Sequence, residues 1–245
     1  MINRFIYVAR FFQQVLFGSF FLFLVGSQFA VAQSALEVVK SPLRTDQDRS
    51  MDEKRKPQEM LNFIQVKPGM VALDIFSAGG YTAQLMALAV GPSGKAYAFN
   101  IRAFPALEER LKERPQTNLI SVVGALNELL PAMDGQIDVI TIINSYHDLV
   151  NLNPDIQTMN QRLHALLKPG GMLIIRDHAA KEGTGKSVTK TLHRIESASV
   201  VADFESIGFK KVAEGDFLKN PQDSREEHSN KGNPPEGFII KLIKR

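Results

Sequence analysis

Three short stretches of this chain carry side chains fit for proton transfer. Tyr146-His147-Asp148 follows an apolar run that ends at Asn144, Asp177-His178 follows a second apolar run, and His193-Arg194 heads a late helical segment. An imidazole beside a carboxylate can take a proton while the acid orients the ring. His147 with Asp148 is the first candidate for such a base and His178 the second, with Tyr146, Asp177, His193 and Arg194 as candidate substrate contacts. A plainer alternative stands beside each. Residues at loop starts cap helices and satisfy backbone groups, a role open to Asp148, Asn153 and Asp155, and Arg194 could sit on a surface turn or pair with Glu196 or Asp203. Two histidines and two aspartates also permit a divalent cation. No His-x-x-x-His or related spacing supports one, so no metal is assigned. His164, within an amphipathic segment, and His228, in a polar loop, read as ordinary.

A fourth stretch could hold a nucleotide. Val71-Ala72-Leu73-Asp74-Ile75 is an apolar run containing an acid, and it breaks at Phe76-Ser77-Ala78-Gly79-Gly80 before the helical segment that starts at Tyr81. Glycines at a strand-to-helix turn let the backbone approach a ligand, and a carboxylate there can accept hydrogen bonds from it. Ordinary turn chemistry gives the same pattern. Gly183-Thr184-Gly185-Lys186-Ser187 ends like a phosphate-binding loop, but that motif's first glycine would fall at Ala180. It reads better as a mobile lid with glycine hinges.

The elements that must position these groups alternate. Strands are expected over 70–76, 95–100, 118–123, 137–144, 172–176, 209–217 and 237–243, and helices over 51–64, 81–90, 105–114, 155–167 and 195–207. Pro57 marks a kink or the true start of the first helix, and Lys168-Pro169-Gly170-Gly171 reads as a turn. The pattern implies an α/β fold: a Rossmann-like, seven-stranded, mostly parallel sheet with helices on both faces and an antiparallel last strand. Loops after the fourth and fifth strands then open on one edge, which brings Asn144, His147 and Asp148 within reach of Asp177 and His178.

Residues 1–32 carry Arg4 and Arg10, no acid, an apolar core over 15–25 and small residues Ala30-Val31-Ala32. They read as a secretory signal peptide, with a retained anchor as the alternative, which places the protein in the periplasm or outside the cell. Residues 33–50 are expected to be a flexible lead-in and 51–245 one domain. Without the leader the net charge falls from +3 to about +1, so nothing in the balance calls for nucleic acid. The chain has no cysteine, which excludes disulfides and thiolate metal sites.

The order of Asp74 and Gly79-Gly80 after the first strand, Lys168-Pro169-Gly170-Gly171 before the fifth and Gly208-Phe209 at the sixth resembles class I methyltransferases that use S-adenosylmethionine. More narrowly, Arg55-Lys56-Pro57, Gly79-Gly80-Tyr81-Thr82, Tyr146-His147-Asp148, Asp177-His178 and Leu192-His193-Arg194-Ile195 resemble an exported bacterial family of methyltransferases defined by sequence. That resemblance covers nearly all of residues 40–245. It implies S-adenosylmethionine as cofactor, held by Asp74, Phe76, Ser77, Gly79, Gly80, Tyr81, Asn100 and Asn144, and methyl transfer to a small-molecule or envelope acceptor whose identity it leaves open.

Three features depart from the family pattern. Phe76 and Ala78 stand where its first two glycines fall, Asn100 replaces the acid that accepts both ribose hydroxyls, and Gly124-Ala125-Leu126 lack the acid usual near the adenine. An amide accepts one hydroxyl without charge assistance, at a cost on the order of 1 kcal/mol. A second class therefore stays open, a non-catalytic or metal-dependent relative that keeps the fold without the cofactor site.

Overall fold

The computed structural model describes residues 33–152, 155–231 and 234–245. The leader expected over 1–32 lies outside them. Seven strands, β1 (Val71–Ile75), β2 (Lys95–Asn100), β3 (Leu119–Val123), β4 (Ile137–Ile143), β5 (Leu167–His178), β6 (Phe209–Gly215) and β7 (Gly237–Lys244), form one sheet in the order β3-β2-β1-β4-β5-β7-β6. β7 runs antiparallel to both neighbours, and the β1, β2, β3, β4 and β5 pairings are parallel. The winding reverses between β1 and β4, the point beyond which such sheets bind ligands.

Alternation along each strand divides the core. Leu73, Ile75, Ile140, Ile142, Leu173 and Ile175 face α7 (Tyr146–Leu152), α8 (Ile156–Leu166) and α10 (Ser197–Glu205), which contribute Leu149, Met159, Leu163, Val200 and Phe204. Ala72, Val139, Ile174 and Ile239 face the other way. They meet α1 (Ala35–Val39), α4 (Pro57–Ile64), α5 (Tyr81–Val90) and α6 (Pro105–Glu113) through Val38, Met60, Ile64, Leu85, Met86 and Leu107. Truncating a buried leucine such as Leu73 to alanine would cost about 2–5 kcal/mol through lost burial and the cavity left behind.

Three segments differ from the sequence expectations. Residues 33–50 are not a loose lead-in. Ser34 and Thr45 close capping boxes with Glu37 and Asp48 on α1 and on α2 (Asp46–Ser50), and Val38, Arg44 and Asp48 are buried against the domain. The helix expected over 51–64 splits into α3 (Asp52–Arg55) and α4, because Lys56 turns left-handed and Pro57 starts the new helix. The turn expected at 168–171 belongs to β5: Ile137 pairs with Leu167 and Val139 with Met172, so the intervening residues bulge within a longer strand.

Candidate functional site

The loop after β1 has the backbone form of a glycine-rich turn without most of the glycines. Phe76, Ala78 and Gly80 have φ of 58°, 49° and 82°, a left-handed geometry that costs an L-residue roughly 1–2 kcal/mol. Its neighbours hold it there. Ser77 N–H donates to Phe99 O at 3.0 Å and Gly80 N–H to Ser77 O at 2.9 Å. Ala78 N–H donates to Asn100 Oδ1 at 2.8 Å, Asn100 Nδ2 returns a bond to Ala78 O at 3.2 Å, and Arg110 Nε donates to Gly79 O at 2.8 Å. Gly80 faces α6, where an added Cβ would lie 2.7 Å from Leu107 Cδ1.

Asp74 sits behind this loop, buried on the α5 side. It accepts from Thr141 Oγ1 at 2.7 Å and so ties β1 to β4. Burial raises its pKa to about 6, against the opposing pull of the Ser77 and Thr141 hydroxyls, Arg55 and the Ala83 backbone. Tyr81, at the first turn of α5, donates to Asp52 Oδ1 at 2.6 Å and lies under the Arg44 and Arg55 guanidinium groups, whose carbons are 5.3 and 4.6 Å from the ring centre. Burial and then Asp52 push its pKa well up.

Over the loop opens a cleft of about 600 Å³, walled by residues 76–79, Asp74, Tyr81, Phe104, Asn144, Ser145 and Asp148, with Thr45, Gln47 and Asp48 of the N-terminal segment on its other side. Burial would raise the pKa of Asp48, but Arg110 and Thr45 hold it below the carboxylate norm. The Asp48–Arg110 contacts, at 2.7 and 2.8 Å, join this N-terminal cover to the same arginine that grips Gly79. Sequence reading missed Arg44, Asp48, Asp52 and Arg110. The spacings Ser34-x-x-Glu37 and Thr45-x-x-Asp48, signals of capped helices, could have shown that residues 33–50 are ordered.

A second cleft of about 850 Å³ adjoins the first. Met51, Arg55 and Asn144 border both. Lys54, Lys56, Arg176, His178 and Lys219 line the second as well. Arg176 is buried and donates to backbone carbonyls, Arg55 O at 2.5 Å and Lys54 O at 3.3 Å, with no carboxylate bond among the described residues. Burial and the nearby Arg55 lower its pKa to about 10, so it remains a cation at neutral pH.

Between the clefts the histidines cluster on Asp177, which is fully buried. Its carboxylate accepts from His147 N–H at 2.9 Å and from His178 N–H at 2.8 Å, and it lies 2.7 Å from His147 Nδ1. Burial would lower the pKa of His147, but Asp177 and Asp148 raise it above the usual imidazole value. Burial lowers that of His178 to about 4, with the charges of His147, Arg176 and Arg194 acting in the same direction and Asp177 opposing them.

The expected site residues therefore separate into groups. Asp74, Phe76, Ser77, Gly79, Tyr81, Asn144 and Asp148 line the first cleft, and Asn144, Asp177 and His178 line the second. Gly80 shapes the loop from behind. Three expectations are corrected. Asn100 spends both ends of its amide on Ala78 and does not line the cleft. Tyr146 is fully buried, donating to Asp203 Oδ2 and accepting from Asn160 Nδ2, each at 2.8 Å, because its ring fills the core beside Phe204. Arg194 is a buried clasp for the loop before β7: it bonds Asp223 at 2.7 and 3.1 Å and Glu227 O at 2.8 Å, not Glu196 or Asp203. The segment expected as a hinged lid is pinned by Gly185 N–H to Glu196 Oε2 at 2.7 Å and by Lys186 to Asp203 at 2.6 Å.

A sheet of this order, with a left-handed loop after β1 and clefts at the strand ends, defines a Rossmann-like fold. Residues 66–224 match the model of a family described as a methyltransferase domain, and the chain belongs to that family. The demethylmenaquinone methyltransferase of Geobacillus kaustophilus is 29% identical over 119 residues, 48% of this chain and 49% of that protein. The ubiquinone/menaquinone biosynthesis C-methyltransferase UbiE of a Shewanella species (strain W3-18-1) is 28% identical over 111 residues, 44% of this chain and 43% of that one. The chain thus matches about half the length of these curated relatives or less. Among solved structures, a SAM dependent methyltransferase from Aquifex aeolicus shares the fold at TM-score 0.62 and 18% identity, over 80% of this chain and 93% of that one. One from Mesorhizobium loti does so at 0.56 and 13%, over 76% and 97%.

The domain implies S-adenosylmethionine as cofactor, and the first cleft offers a place for it. Asn144 Oδ1 and Ser145 Oγ are buried on its wall without a hydrogen-bond partner among the described residues, and buried polar atoms left in this way are uncommon unless a ligand or water meets them. Phe76, Ser77, Ala78, Gly79, Tyr81, Asn144 and Ser145 would hold the cofactor. When bound, it supplies a methyl group on a sulfonium. The ribose contact expected from Asn100 does not fit.

Proposed function

We propose that this protein transfers a methyl group from S-adenosylmethionine, held over the loop after β1, to an acidic small-molecule acceptor in the adjoining cleft. The single observation that carries the reading is the pair of clefts meeting at Met51, Arg55 and Asn144, one over a left-handed loop and the other with Lys54, Arg55, Lys56, Arg176 and Lys219 outnumbering the acids Glu53 and Asp177 in its lining. In-line transfer needs two ligands side by side and held in alignment. Lys54, Arg55, Lys56, Arg176 and Lys219 around the second cleft favour a carboxylate, phosphate or acidic phenol. His178 borders that cleft as a neutral imidazole and can accept a hydrogen bond from an acceptor hydroxyl. The curated relatives, named as a demethylmenaquinone methyltransferase and a ubiquinone/menaquinone biosynthesis C-methyltransferase, make a quinone-type ring one acceptor to try.

Membership of the exported bacterial family and action in the periplasm rest on the motifs and the leader alone. Calorimetric titration of the purified protein with S-adenosylmethionine and its demethylated product tests the central reading. Micromolar binding of both is expected. No heat at millimolar ligand would overturn it in favour of a relative without the cofactor site.

A further inference from the structure

The sequence sets His147, Asp148, Asp177 and His178 together, but in the structure one residue stands in for the last two. Asp177 is tied down behind the His147 ring, and the His178 ring centre is 6.1 Å from that of His147. His193 arrives instead, delivered by the residue that ends α9 (Thr189–Leu192). His147 Nε2 lies 3.3 Å from His193 Nδ1 and 3.4 Å from Asp148 Oδ1, and His193 Nδ1 lies 3.4 Å from the same Asp148 oxygen. Three donor atoms from three residues thus form a nearly equilateral triangle.

We propose that His147, Asp148 and His193 form a binding site for a divalent transition-metal ion of the zinc class. Zinc bonds to nitrogen and carboxylate oxygen are about 2.0–2.2 Å, which puts the edges of a ligand tetrahedron at roughly 3.3–3.6 Å. The observed edges fall in that range. A site with three protein ligands keeps one position open, and here Asp148 and His193 are partly exposed while His147 is buried. The second sphere is in place as well. A metal-bound histidine usually donates its other ring N–H to a carboxylate, which fixes the tautomer. His147 Nδ1 is 2.7 Å from Asp177 Oδ1, and that acid is fully buried and held by two backbone N–H groups. With the Nδ1 proton committed to Asp177, the lone pair of Nε2 faces His193 and Asp148. The His193 ring is in turn packed on His228, centre to centre 4.5 Å.

Asp148 also lines the first cleft beside Asn144 and Ser145, so a cation here would border the space where the two proposed ligands meet and could take an oxygen of the acceptor in its open position. The site does not depend on cofactor binding. Its test is equilibrium dialysis of chelator-treated protein against zinc, with metal analysis and melting curves. The expected result is one zinc per chain, a rise in melting temperature with zinc, and loss of both in His193→Ala, whose partly exposed side chain can be removed without a core cavity. Asp177→Asn should weaken binding about 10–100-fold, and His164→Ala, remote from the triangle, should bind as the wild type does. Absence of stoichiometric zinc in the wild type would leave the three residues as a hydrogen-bonded cluster only and would overturn the proposal. Undiminished binding in His193→Ala would overturn it too.

Discussion

Asn100 closes both ends of its side-chain amide on the backbone of Ala78, accepting from its N–H at 2.8 Å and donating to its carbonyl at 3.2 Å. The residue at the end of β2 thus acts as a strap on the loop after β1 instead of a ribose acceptor. Removing it in Asn100→Ala leaves two backbone groups without their partner, at about 1–3 kcal/mol if they stay buried. A lower melting temperature together with weaker S-adenosylmethionine binding is expected, because the loop loses its clamp. Asn100→Asp keeps the bond from Ala78 N–H but sets a carboxylate against the Ala78 carbonyl, so it should fall between wild type and alanine in stability. An Asn100→Ala protein with unchanged melting temperature would contradict the strap.

The loop's geometry predicts a stabilising change. Ala78 is held at φ 49°, where glycine pays no Cβ penalty. Ala78→Gly should raise stability by up to about 1 kcal/mol, the left-handed strain relieved less the added freedom of the unfolded chain. Cofactor affinity should stay within about threefold of wild type, since the strapping bonds are backbone to Asn100. Gly80→Ala is the opposite case: φ of 82° and Leu107 Cδ1 at 2.7 Å from the new Cβ make it destabilising. Denaturant melts of the two variants check both signs.

The seven strands along the chain, the antiparallel end and the placing of Asn144, His147 and Asp177 at one edge were legible because apolar runs and turn glycines report local structure directly. What was not legible depends on contacts distant in sequence. Tyr146 and Arg194 look like surface chemistry until Asn160, Asp203 and Asp223 arrive from elsewhere to bury them. Asn100 looks like a ligand contact because nothing local says that its amide meets Ala78. Residues 33–50 look polar and loose, yet Arg44 and Asp48 find Asp52 and Arg110 and become part of the first cleft's cover.

That cover gives a third test. Asp48 and Arg110 are both largely buried, paired at 2.7 Å, and Arg110 also holds Gly79 O. Asp48→Ala would leave the guanidinium buried without its anion, and breaking such a pair from one side costs about 3–5 kcal/mol. Binding of S-adenosylmethionine should weaken as well, because the same arginine grips the loop. Asp48→Asn keeps one acceptor and should lose less. Equal stability of Asp48→Ala and wild type in urea would show that the N-terminal segment does not cover the cleft in solution.

Asp74 predicts a pH dependence with a definite sign. Its folded pKa is raised from 3.8 to about 6 by burial. Below pH 4 the acid is protonated in both states and its ionisation carries no penalty. Between pH 4 and 6 the unfolded chain gives up the proton while the folded chain keeps it, so stability falls as pH rises and remains lower above that window. Two units correspond to about 3 kcal/mol. Asp74→Asn retains an acceptor for Thr141 and has no charge to bury, so its stability relative to wild type should rise from pH 4 to pH 7. A difference that is flat over that range would contradict a buried acid.

Arg176 separates recognition from folding. Its guanidinium is buried beside the second cleft with backbone carbonyls as its hydrogen-bond partners, so the fold carries the desolvation of a cation that no carboxylate bond among the described residues offsets. Arg176→Met gives up two hydrogen bonds and relieves that desolvation. Stability should therefore stay within about 1 kcal/mol of wild type. If the buried cation serves an acidic acceptor, the same variant should raise KM for such an acceptor more than about tenfold, with kcat changed less, the signature of lost ground-state binding. Labelled S-adenosylmethionine offered with a panel of carboxylates, phosphates and phenols gives the readout. A variant that loses several kcal/mol of stability and keeps the wild-type KM would assign Arg176 to the fold and remove the main argument for an acidic acceptor.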